Sequence, residues 1–215
     1  MRTEDLIADL AGRVTPVRPL LPPAVRALAW FALAAAWGGV GVAAFGARSD
    51  LTVRLLQPDY LWIAALAVLT SMFAVVVSLI LSIPGAERTP VLRVSTVGIL
   101  GLWTATMVRA VVAAGRGLPV STDPHWPVCA MRVLVVGVLP ALVLWVMIRR
   151  GTALRLGWTA AMAALAAASV GALAVHVACP LDDPGHGFLG HFVPVVLAAA
   201  MGIAARRRLA RSLAV

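Results

Sequence analysis

Long apolar runs alternate along the chain with short polar connections. A helix needs about 20 apolar residues to cross the hydrocarbon core of a bilayer. The runs 27–46, 60–83, 94–115, 129–148, 156–178 and 187–205 each reach or approach that length. Arg109 interrupts the third run, Arg132 stands near the start of the fourth, His176 near the end of the fifth and His191 near the start of the sixth. The connections are rich in Pro, Gly and Asp, as turns are. The pattern predicts an all-α, polytopic membrane bundle of six transmembrane helices. An even number of crossings puts both termini on one side. The first run is longer than a signal-peptide core and begins only at residue 27, which argues against a cleaved leader.

Composition narrows the class further. The chain has 215 residues, 61% hydrophobic and 13% charged, with mean hydropathy +0.96. Soluble domains carry about 25% charged residues. A water-soluble fold of this size has no way to hide so much apolar surface, and disorder demands the opposite composition. The net charge of +9 comes from 18 arginines and no lysine. Thirteen of them fall on the side that holds the termini and five on the other, counting Arg109 and Arg132. The positive-inside rule then makes the termini cytoplasmic. Placed this way, the basic charge reads as a topology signal and an anionic-lipid contact rather than a nucleic-acid surface. The expected organisation is a cytoplasmic tail (1–23), a transmembrane domain (24–206) and a basic C-terminal tail (207–215).

The fifth run holds Gly157, Gly171 and many alanines, and small residues let membrane helices approach closely. Pro140 is placed to kink the fourth run.

Residues 3–14 read as a short amphipathic helix. Thr3 can cap it, Glu4 and Asp5 suit its positive end, and Leu6, Ile7, Leu10 and Val14 form one stripe. Pro16 stops it. So short a helix is marginal alone and needs a surface to lie on. Membrane anchoring is the plainer reading. The acidic start favours docking into a partner's groove, through Asp5, Leu6, Ile7, Leu10 and Val14.

All thiols and imidazoles of the chain gather toward the other membrane face. His125 and Cys129 stand where the fourth run begins, and His176 and Cys179 where the fifth ends. His186 and His191 open the sixth, with Asp182 and Asp183 in the loop before it. Thiolate and imidazole suit a transition or heavy metal ion, with a carboxylate to complete the shell. Cys129 and Cys179 sit at similar depth and could also form a disulfide in an oxidising compartment. His176 and Cys179 share a helix face if the helix persists that far, and Pro180 is placed to end it there. His125 is the weakest member of the group. The plainer alternative makes the histidines helix-end hydrogen-bonders and the cysteines small apolar filler. Asp182 and Asp183 then cap the last helix or pair with Arg132.

Short motifs, taken in order, resemble those of the NrsF-like anti-sigma factors, bacterial inner-membrane proteins with six helices. They are Thr3-Glu4-Asp5-Leu6-Ile7, Pro16-Val17-Arg18 and Pro22-Pro23; then Asp50-Leu51, Arg54-Leu55 and Pro58; then Ile83-Pro84-Gly85; then Cys179-Pro180 with Asp182, Asp183 and Pro184. The resemblance implies a non-enzymatic regulator that holds an extracytoplasmic-function sigma factor at the membrane. It implies release when a periplasmic cysteine pair, here Cys129 and Cys179, meets heavy metal or oxidant. The tail around Asp5, Leu6, Ile7 and Leu10 would bind the sigma factor. No permanent cofactor and no direct nucleic-acid contact are implied; the partners are the sigma factor and the bilayer. One departure is His186 and His191, where many members carry aromatic residues after the Cys-Pro motif, and it favours a metal signal. The rival class is a small membrane transporter or thiol-redox protein. A transporter would need polar groups near the midplane, and the middle of the runs offers only serines and threonines.

Overall fold

The computed structural model describes residues 2–12, 19–85, 90–115, 123–151, 153 and 155–205. Val14, the Pro16-Val17-Arg18 motif, Arg88, Arg116 and the tail 207–215 lie outside the described residues. Every regular element among the described residues is helical: α1 (Thr3–Gly12), α2 (Pro23–Phe45), α3 (Leu51–Arg54), α4 (Pro58–Leu81), α5 (Pro90–Ala113), α6 (Trp126–Arg149), α7 (Leu156–Ala178), α8 (Pro184–His186), a π turn (Gly187–Phe192) and α9 (Val193–Ala204). Six helices are long and apolar enough to cross a membrane, the last being Pro184–Ala204. They begin up to four residues earlier than the apolar runs do, because proline leads them. Pro23, Pro58, Pro90 and Pro184 stand first, and Pro127 second. A helix N-terminus has a spare N–H there, and the fixed φ of proline suits it.

Helix α7 is the axis of the bundle. It packs against α2, α4, α6 and α9, while α5 lies outside, against α4 and the π turn. Two-thirds of the apolar window of α7 is buried. Its small residues make this possible. A Cβ added at Gly171 would collide with the Val133 carbonyl of α6, and one at Gly202 would lie 2.7 Å from the Ala160 carbonyl oxygen of α7. Several polar groups in this core turn to backbone carbonyls, since no water is there to pair with them. Ser71 Oγ donates to Ala166 O at 3.0 Å and Ser169 Oγ to Leu165 O at 2.8 Å.

Pro140 does not break α6, which runs unbroken from Trp126 to Arg149. Proline at 140 removes the donor that the Val136 carbonyl would normally meet four residues on. The indole of Trp37 in α2 supplies it instead, Nε1 donating to Val136 O at 3.0 Å. One turn along, Trp30 Nε1 donates to Pro140 O at 2.8 Å. Two tryptophans of α2 thus stitch that helix to α6.

Successive helices reverse direction, so α2, α5 and α7 end where α4, α6 and α8 begin. This distal end of the bundle lies opposite Pro23 and Ala204, the outer ends of α2 and α9. The chain arrives there through Gly46, whose φ of +81° a side chain would resist.

Candidate functional site

Three loops meet at the distal end, and the thiols lie between them. Cys129 sits one turn into α6. Cys179 follows α7 directly, and its backbone is extended (φ −80°, ψ 123°), so the helix stops at Ala178. That break decides the site. The shared face expected for His176 and Cys179 is lost, and Cys179 turns toward α6. Its Sγ lies 3.9 Å from Cys129 Sγ and 3.4 Å from His186 Nε2. His176 stays on the other side, stacked on Tyr60 with ring centroids 4.1 Å apart and Nε2 3.3 Å from Tyr60 O. His176 is therefore left out of the group around the sulfurs, its ring edge-on to that of His191 with centroids 6.4 Å apart.

The π turn brings the remaining two histidines together. Pro194 has no N–H for Gly190 O, and the wider turn shifts the bonding by one, with Val193 N–H reaching Phe188 O. Residues five apart diverge on an α-helix but stack on a π turn. His186 and His191 accordingly have ring centroids 5.3 Å apart. Ligand atoms of Cys129, Cys179, His186 and His191 all lie within 4.8 Å of one another. Gly190 permits the approach, since a Cβ there would lie 3.2 Å from Trp126 O and 3.3 Å from Cys129 Cβ. His186 is fully buried and His191 is 8% exposed. His191 Nε2 is buried with no hydrogen-bond partner among the described residues.

Behind His186 stands Asp123, which the sequence reading passed over. Its Oδ2 lies 2.6 Å from His186 Nδ1, and its Oδ1 lies 2.8 Å from His125 Nδ1. Hydrogen bonding from His125 is the main influence holding the Asp123 carboxyl below its ordinary pKa. His125 itself is largely exposed and outside the cluster. The Cys179 thiol is also held low, first by the thiol of Cys129 beside it and then by His186.

Asp182 and Asp183 lie outside that group of four. Arg132 lies over the Phe45 ring, 4.8 Å from its centroid. Asp183 caps α8 by accepting from His186 N at 2.9 Å. Asp182 joins an ion cluster with Arg48, Asp50 and Arg54. The Arg48 guanidinium is buried and forked twice, to Asp50 at 2.7 and 3.1 Å and to Asp182 at 3.1 Å through two nitrogens. Arg54 bonds Asp50 at 3.2 Å and contacts Asp182. These bonds raise the pKa of Arg48 and hold Asp50 down to about 2, Arg48 being the largest influence. The cluster ties the α2–α4 connection to the loop that carries Cys179. A cavity of about 280 Å³ runs beside it between α4, α5, α7 and the π turn, and Cys179 and His191 form part of its wall.

The model of the family NrsF, negative regulator of sigma F, matches residues 10–211, nearly the whole chain. The chain belongs to the NrsF family. No curated protein and no solved structure matches it. Membership makes this six-helix chain one of a family of negative regulators of a sigma factor, which is a class of regulators rather than of enzymes. For this NrsF member, α1 is a described element with no buried residue. All of its residues are exposed, with Leu6, Ile7 and Leu10 at 40%, 60% and 56%.

Proposed function

We propose that the chain is an integral membrane anti-sigma factor of the bacterial inner membrane. It sequesters an extracytoplasmic-function sigma factor on the cytoplasmic side and releases it when the distal Cys/His cluster, facing the periplasm, meets heavy metal or oxidant. Family membership supplies the sigma factor, and the arginine distribution supplies the orientation. The observation that carries the sensing is the convergence of Cys129, on α6, with Cys179, just past the end of α7. A ligand shared by the two sulfurs constrains α6 against the end of α7. Oxidation by a hydroperoxide would do the same: two thiols give up two protons and two electrons to form the disulfide, and the peroxide leaves as alcohol and water.

The occupied site changes how the inner ends present the tail. The apolar face of α1 (Leu6, Ile7 and Leu10) and Asp5 serve as the docking segment, together with Val14 further along the sequence. A ligand shifts such an equilibrium only by its differential affinity for the two packings. Couplings of this kind run to about 1–3 kcal/mol, or roughly 5–150-fold in affinity.

A Cys129→Ser/Cys179→Ser chain should repress the sigma regulon normally and fail to induce with metal or peroxide in a reporter assay. Full induction of that variant would remove the cluster from the sensing role. Deleting residues 1–14 should make the regulon constitutive, with loss of sigma co-purification; persistent repression would move the docking surface to the cytoplasmic loops.

A further inference from the structure

The cluster contains more than a thiol pair, and its groups have a definite chemistry. Two sulfurs and two imidazole nitrogens lie within one coordination sphere's reach. Buried polar atoms are nearly always partnered, yet His191 Nε2 has none among the described residues. His186 Nδ1 lies 2.6 Å from Asp123 Oδ2 and Nε2 faces Cys179 Sγ at 3.4 Å. With Nδ1–H donated to the carboxylate, the lone pair of Nε2 is left for a ligand. A carboxylate behind a histidine in this way is the usual second layer of a metal site.

We propose that Cys129, Cys179, His186 and His191 form a four-coordinate S2N2 site for a divalent d10 cation of the zinc group, with Asp123 as the positioning residue behind His186. Soft thiolates and borderline imidazoles in a closed set of four suit such an ion, whereas hard oxygen-seeking cations find no carboxylate among the four. Charge favours it too. The dication enters, two thiols release two protons, and the buried centre is left neutral. The cavity that reaches Cys179 and His191 offers a route in. His176, bonded and stacked on Tyr60, stays outside. The inference deepens the sensing reading by fixing the class of signal and the ligand set, and the site stands or falls by binding alone.

The test uses the reduced full-length chain in nanodiscs, with Zn2+ titrated against a chromophoric chelator and Co2+ as a spectroscopic stand-in. One Zn2+ per chain is expected, with the intense visible bands of tetrahedral Co2+ and a thiolate-to-cobalt charge-transfer band. Zn2+ should protect both cysteines from maleimide. His191→Gln should weaken binding about 10-fold or more and Asp123→Asn about 10–100-fold, while His176→Gln leaves it unchanged. Absence of stoichiometric binding, a pale octahedral cobalt spectrum or unprotected thiols in the unmutated chain would overturn the site. So would a His176→Gln loss equal to that of His191→Gln. If Zn2+ binds as described but the sigma factor stays bound, the site holds and the sensing reading fails.

Discussion

At the residue scale, a few side chains do work that their type alone does not announce. Trp37 stands in for the N–H that Pro140 lacks, so Trp37→Phe leaves the Val136 carbonyl unpaired in an apolar interior. The expected loss is about 1–3 kcal/mol, read by denaturant unfolding in micelles, with no change in metal binding; an unchanged midpoint would mean the indole bond carries no weight. Arg48 is another case. It is 6% exposed and holds two carboxylates, whose side chains remain 43% and 44% exposed. Arg48→Gln should cost about 1–2 kcal/mol, less than the 3–5 of a fully buried pair because water still reaches both partners. The pair also sets a pH window. Asp50 titrates near 2 when folded, against an ordinary 3.8. A lowered carboxylate stabilises fully above its unfolded pKa and less as pH falls through the folded one. The contribution of this cluster should therefore be flat from pH 8 to 5 and fade between about 3.8 and 2.

At the scale of elements, the helices were legible in the sequence, as was a stop of α7 at Pro180, but the backbone geometry at the breaks was not. Apolar runs found all six spans because hydrocarbon thickness fixes their length; only the proline-led starts moved. The members of the distal cluster were legible too, since Cys129, Cys179, His186 and His191 all stood in the expected group. Choosing among that group required two departures from α-helical spacing. One is the extended Cys179 at the end of α7, which separates it from His176. The other is the π turn, which unites His186 with His191. Neither follows from an i, i+3 rule. The signal in the sequence that could have shown the π turn is Pro194, three residues after His191. Asp123 was missed because its partner lies 63 residues away. Close packing between elements gives its own prediction. Gly171→Ala places a methyl against the Val133 carbonyl, whereas Gly39 has open space around it. The first should destabilise the bundle by about 1–3 kcal/mol and Gly39→Ala should not; equal thermal stability of the two would refute the α6–α7 contact.

At the scale of the whole molecule, the architecture sets two ends against each other across about 30 Å of hydrocarbon. The distal end holds the sulfur and imidazole cluster on α6, the α7–α8 loop and the π turn. The helices that bear those groups run to the end from which the tail emerges. Helix α7 packs against α2, α4, α6, α9 and the π turn, so a change in how α6 meets it has a physical path through the bundle. Family membership says what such a change would regulate. The most direct measurement is the affinity of the cognate sigma factor for the full chain in nanodiscs, with and without saturating Zn2+. The account predicts a 5–150-fold weakening that disappears in the Cys129→Ser/Cys179→Ser chain. An affinity unmoved by the ion in the unmutated chain, or weakened equally in the variant, would contradict it.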